Sequence, residues 1–97
     1  MGGNQMREKQ IESKLSMAVK KRGGLCEKLN TGTAGWPDRI ILMPDGKIAF
    51  AELKAPGKKP RPLQLARHKS LMELGFRVFV IDSVEQIGEI IDEIQSS

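Results

Sequence analysis

The chain of 97 residues contains no tyrosine and only one each of cysteine, histidine and tryptophan. The single thiol, Cys26, has no partner for an internal disulfide, so a reducing, cytoplasmic setting is expected and the residue reads as a small apolar side chain in a strand. One Cys and one His cannot build a zinc cluster, which leaves oxygen ligands for any metal. No apolar run approaches membrane-spanning length. The first residues do not read as a signal peptide, and position 6 is Met where a myristoylation site needs Ser or Thr. No internal repeat is visible. The segment Asn30 to Gly35 lacks the Gly-Lys-[Ser/Thr] ending of a Walker loop.

The residues present describe one soluble domain, with 39% hydrophobic and 29% charged residues, enough for one modest core. Sixteen Lys and Arg against twelve Asp and Glu give a net charge of +4, a balance that favours a polyanionic partner.

Met1 to Asn4 reads as a loose tail. From about Gln5 to Arg22, Ile11, Leu15, Ala18 and Val19 recur at helical spacing, and Gly23-Gly24 supplies a stop. Glu12 borders the apolar stripe, so it is either solvated at the rim or aimed into a site; Glu8, a turn earlier, is the weaker candidate. Leu25 to Leu29 is a short candidate strand. The loop after it, with Thr31 and Thr33, permits close approach of a phosphate or serves as a plain connector. Trp36, held extended by Pro37, either caps the core or stacks on a base.

The most informative stretch is a predicted β-hairpin. Arg39-Ile40-Ile41-Leu42-Met43 and Lys47-Ile48-Ala49-Phe50-Ala51-Glu52-Leu53-Lys54 flank the turn Pro44-Asp45-Gly46. A three-residue loop with left-handed Gly46 pairs Met43 with Lys47, and counting outward sets Asp38 opposite Glu52, with Lys54 on the same face. A two-residue loop, Asp45-Gly46, would put the acids on opposite faces. The longer loop is favoured because it gives Pro44 a turn position. At ~5 Å and an effective dielectric of ~20, facing carboxylates repel by roughly 3 kcal/mol; a divalent cation reverses the sign, and oxygen ligands suit Mg²⁺ or Mn²⁺. Taken alone, Glu52-x-Lys54 also fits the salt-bridging face of an edge strand. Strand three, however, is apolar on both faces, as a central strand is.

Next comes Ala55-Pro56-Gly57-Lys58-Lys59-Pro60-Arg61-Pro62, whose Lys58, Lys59 and Arg61 suit contact with a phosphate backbone or, alternatively, form a solvated linker. Pro62 opens a helix that Gly75 ends. Leu65, Leu71 and Met72 define its expected inner face, with Gln64 and His68 inside it. A buried Gln64 needs a partner, and an inward histidine is most often a hydrogen-bonded core residue. Arg77 to Ile81 is the last strand. Ser83-x-x-Gln86 then caps a helix whose Val84, Ile87, Ile91 and Ile94 form an apolar stripe.

The order α-β-β-β-α-β-α, with Glu12, Pro37-Asp38, Glu52-x-Lys54 and Gln64 on successive elements, resembles the PD-(D/E)xK nuclease superfamily and within it the virus-type replication-repair nuclease (VRR-NUC) domain. The likeness covers about residues 8 to 85 of what reads as a single domain. It implies a restriction-endonuclease-like αβββαβ core with a mixed central sheet flanked by helices, and a C-terminal helix. It implies a Mg²⁺- or Mn²⁺-dependent DNA endonuclease, selective for Holliday junctions, flaps or other branched DNA. By the resemblance Asp38, Glu52 and the Leu53 carbonyl would hold the metal, and Glu12 would bind it through water or serve a second ion. Lys54 would orient or activate the attacking water, and Gln64 would position water or substrate. Relatives often carry tyrosine where this chain has His68. A virus- or phage-encoded protein acting inside a host cell fits the likeness.

Phosphodiester hydrolysis needs a nucleophilic water and stabilised phosphate charge, which a carboxylate-held cation and a lysine supply. The competing class is a non-catalytic nucleic-acid-binding module with the same fold. Two acids at positions 38 and 52 argue against it, since phosphate binding alone is better served by Lys or Arg. No helix is basic enough for a major-groove reader, which points to recognition of backbone shape. A homodimer is expected, because symmetric cleavage needs two sites. Either the Val84, Ile87, Ile91 and Ile94 stripe or the first helix would form the seam, unless the stripe simply covers its own sheet.

Overall fold

Apolar residues at helical spacing wind the N-terminal segment into α1 (Gly3–Lys21), which buries Ile11, Leu15 and Val19. The helix ends in a Schellman motif. Gly23 takes the left-handed conformation at φ 85°, its N–H donates to Lys20 O at 3.0 Å, and the N–H of Gly24 donates to Val19 O at 3.0 Å. The computed structural model describes residues 3–97, with side chains from residue 7. The helix therefore takes in Gly3 and Asn4, expected in the tail, while Met1 and Gly2 lie outside the described residues.

The chain then forms β1 (Leu25–Lys28), β2 (Arg39–Met43) and β3 (Lys47–Leu53), followed by α2 (Pro62–Glu73), β4 (Arg77–Ile81) and α3 (Ile87–Ser96). The four strands make one sheet in the order β1-β2-β3-β4. The first three are antiparallel neighbours and β4 pairs parallel to β3. As expected, the sheet is mixed and β3 is central. Met43 pairs with Lys47 and Arg39 with Ala51, the register of the three-residue loop. The turn differs from the expectation in one respect, since Asp45 as well as Gly46 has positive φ, 69° and 72°; aspartate is one of the few side chains that tolerates this.

The pleat sends alternate residues to two unlike faces. Ile41, Met43, Ala49, Ala51, Leu53 and Ile81 face α1 and α3 and close the core with Ile87, Ile90, Ile91 and Ile94. The α3 stripe is thus buried inside this chain, with Val84 packed against it, and is not available as a seam between subunits. On the other face α2 contributes Leu71 and His68, both buried. Leu65 and Met72 do not share that face as expected: they are 53% and 51% exposed. They sit roughly 80–100° round the helix from Gln64 and about 40–60° from His68, and the line facing the sheet is left to Gln64, His68 and Leu71. A second Schellman motif ends α2, with left-handed Gly75 at φ 99° and Phe76 N–H donating to Leu71 O at 3.1 Å. Among the described residues, no helix is long and apolar enough to cross a membrane.

Gly24 marks where α1 turns onto the sheet. A Cβ there would lie 2.5 Å from Leu42 O, 2.6 Å from Met43 Sδ and 3.0 Å from Val19 Cγ1. Gly24→Ala is expected to destabilise by about 1–3 kcal/mol through overpacking against backbone. Urea denaturation checks it; an unchanged midpoint would show that the turn can shift without cost.

Candidate active site

One residue beyond the last paired position of β2, Asp38 faces Glu52 near the end of β3. Backbone bonds fix both places: Leu29 N–H donates to Asp38 O at 2.9 Å and Lys54 N–H to Ile81 O at 3.0 Å. Asp38 Oδ1 accepts the Leu53 N–H at 3.3 Å. The two carboxyls are close enough to hydrogen-bond to one another. Burial, and then the Glu52 charge, push Asp38 up to about 7. Burial also raises Glu52, against the opposing pull of Lys54 and of hydrogen bonds from Asp38 and Gln64.

Glu52 is held from the α2 side. Gln64 Nε2 donates to Glu52 Oε2 at 3.0 Å, and His68 Nε2 lies 3.4 Å from Oε1. Lys54 Nζ is 3.9 Å from Oε2. The other end of the Gln64 amide accepts the Arg61 N–H at 2.8 Å, so one side chain both caps the helix and holds the acid. Gln64, expected to position water or substrate, hydrogen-bonds Glu52 in this structure. Burial and the neighbouring Lys54 charge lower the pKa of His68, and the neutral imidazole donates from Nε2 when the proton sits there.

The acids of α1 divide differently from the expectation. Glu12 is ion-paired with Arg39, not directed at the carboxylate pair. Arg39 projects from the opposite face of the pleat to Asp38, towards α1, and it also donates to Asp38 O at 2.9 Å. Glu8, a turn earlier, is the α1 acid whose charge raises both Asp38 and Glu52. A cleft of about 460 Å³ gathers Glu8, Lys9, Glu12, Lys28, Asp38 and Arg39. Arg39 was not singled out from the sequence, although its place next to Asp38 at a strand start was a signal for it.

The loops expected to touch nucleic acid meet near the first turn of α2. Thr31, Thr33, Lys58, Lys59 and Arg61 are exposed. Thr31 Oγ1 accepts the Thr33 N–H at 3.1 Å, and a Cβ on Gly35 would come within 3.0 Å of Leu63, so this loop docks on α2. Trp36 is half-buried against Phe50 and Arg67. Cys26 lies apart from this chemistry: burial, with smaller contributions from Glu27 and Asp38, pushes its thiol up to about 11.

Among the described residues, no group of three or more His, Cys, Asp and Glu side chains gathers to hold a metal. A cation here would rely on two carboxylates, backbone oxygen and water. That donor set fits Mg²⁺ or Mn²⁺. No family model matches the chain. It is 48% identical over 79 residues to the protein named "Putative nuclease p44" of Acyrthosiphon pisum secondary endosymbiont phage 1, covering 80% of this chain and 85% of that one. A solved structure described as "VRR_NUC domain" matches with a TM-score of 0.81 at 33% identity, covering 89% of this chain and 95% of that one.

A raised carboxyl pKa makes ionisation a cost to the fold. That cost is absent below the unfolded value near ~4 and fully present above about 7, so the metal-free protein loses stability as pH rises through this window. Asp38→Asn keeps the acceptor for Leu53 N–H and removes the charge. In chelator it is expected to stabilise by roughly 1 kcal/mol near pH 8, discounted because the Asp38 side chain is 37% exposed, and by less near pH 5. Calorimetric melting at the two pH values checks it; a destabilised mutant at the higher pH would mean that the pair is not repulsive.

Proposed function

Given that the chain belongs to the VRR-NUC nuclease family, we propose that it is a metal-dependent DNA endonuclease selective for branched structures such as Holliday junctions or flaps. The observation that carries this is the Asp38–Glu52 pair. Two facing acids beside Lys54 are a liability in a module that only binds phosphate, and an asset in one that holds a cation.

Asp38, Glu52 and the Leu53 carbonyl would hold Mg²⁺ or Mn²⁺, with Glu8 or Glu12 contributing through water. When bound, such an ion makes water more acidic and stabilises the charge developing on phosphate. The chain's own residues do the rest. Gln64 and His68 fix the plane of the Glu52 carboxylate, so both oxygens keep their orientation as substrate arrives. Lys54, 3.9 Å from Glu52, orients the attacking water and steadies the negative phosphate oxygens. Lys58, Lys59, Arg61, Thr31 and Thr33, all exposed, would meet the DNA backbone, contacts that read shape and not sequence.

A two-fold homodimer would supply the two sites that symmetric cleavage of a branch requires. With the α3 stripe buried, α1 is the remaining candidate seam, where Met17 is 65% exposed near edge strand β1.

Labelled duplex, flap and four-way DNA incubated with Mg²⁺ or Mn²⁺, against a chelator control, tests the activity; cleavage is expected only with metal and strongest on the branched forms. Binding without cleavage under either metal would favour the non-catalytic module. Lys54→Ala is expected to lower cleavage by at least about 100-fold while Mn²⁺ binding, followed by calorimetry, stays close to wild type. Asp38→Asn should lose Mn²⁺ affinity first. If the lysine mutant loses metal while folded, the division of roles is reversed.

A further inference from the structure

The aromatic cluster under α2 holds a cation that the carboxylate site does not use. Trp36 meets Phe50 edge-on with ring centroids 6.1 Å apart, and Phe50 meets Phe76 in the same way at 5.6 Å. The Arg67 guanidinium lies over the Trp36 ring, 5.8 Å from its centroid. Its Nε is buried and has no hydrogen-bond partner, and Arg67 takes no part in the ion pairs formed among the described residues. A stacking contact of about 0.5–2 kcal/mol does not offset what a partly desolvated guanidinium forgoes without an anion.

Its neighbours say which anion. Arg67 stands on α2 between Gln64 and His68, the two residues that hold Glu52. Trp36 precedes Asp38 by two residues, and Phe50 precedes Glu52 by two on the same face of β3. The segments that supply Trp36, Phe50 and Arg67 also supply the carboxylate site.

We propose that Arg67 binds a phosphate of the DNA strand adjacent to the one cleaved, and that Trp36 is the plate that holds its guanidinium flat. The inference rests on the nuclease reading above. Stacking fixes the plane and leaves Nη1 and Nη2 to take two phosphate oxygens side by side. Trp36 is thereby a positioning residue: the Arg67 guanidinium lies over its ring and Phe50 meets it edge-on.

The test is DNA binding without chemistry. A labelled duplex is titrated with protein in chelator across a salt series, by anisotropy, with emission of the sole tryptophan recorded in parallel. Arg67→Gln is expected to weaken binding roughly tenfold or more and to lower the slope of log affinity against log salt by about 0.9. Arg67→Lys keeps the slope and regains only part of the affinity, because it lacks the flat fork. Lys69→Gln, an exposed α2 cation, binds as wild type does. Saturating DNA shifts Trp36 emission in the wild type and not in Arg67→Gln. Wild-type affinity and slope in Arg67→Gln would overturn the proposal and leave the nuclease reading standing, as would an equal loss in Lys69→Gln or unshifted wild-type emission despite binding. A wild type that binds neither the duplex nor a labelled four-way junction at low salt overturns both. If Arg67→Gln does not fold, Arg67→Lys decides, and full wild-type affinity in it overturns the stacked fork.

Discussion

A carboxylate at Glu52 sits in the interior of the sheet face with a second acid opposite it, and much of the molecule's polar architecture answers that one cost. Burying an ionised carboxyl without partners is prohibitive. Glu52 therefore draws Gln64 and His68 inward on α2 and keeps Lys54 at the strand end. The pKa of Asp38 is raised to about 7 by its own burial and then by the Glu52 charge.

That demand shapes packing. The face towards α1 and α3 is a dry core in which Ile, Leu, Val and Ala side chains close over one another, and it carries the fold. The face towards α2 is thinner and polar along its centre line. Three of the helix's inward positions go to Gln64, Arg67 and His68, so Leu65 and Met72 are turned out to solvent. A helix optimised for burial would reverse that choice. Stability is concentrated on one side of the sheet and chemistry on the other.

Cations are distributed in the same spirit. Arg39 is committed to Glu12 and to the Asp38 carbonyl, and Arg22 and Arg77 pair with acids on α3. Lys58, Lys59 and Arg61 precede α2, and Arg67 lies on its second turn. Within the net charge of +4, these four cations form none of the ion pairs found among the described residues.

The sequence by itself determined the hairpin and the pairing of acids across it. Period-two alternation, Pro44 and a short turn leave few registers, and the one favoured on those grounds is the one adopted, with Asp38 opposite Glu52. Element order, the central place of β3 and the helix stops at Gly23 and Gly75 were legible for the same reason: they rest on interactions only a few residues apart. Tertiary structure decided the rest. Helical spacing places Glu8, Glu12 and Gln64 on a wheel but says nothing of which sheet face the helix meets. Arg39, projecting from the far side of the pleat, captures Glu12 and leaves Glu8 nearer the carboxylate pair. Gln64 finds Glu52 because α2 crosses β3 at that point, and Arg67 finds Trp36, 31 positions earlier, only once the sheet has brought them together. Those pairings depend on long-range packing geometry, which no local pattern encodes.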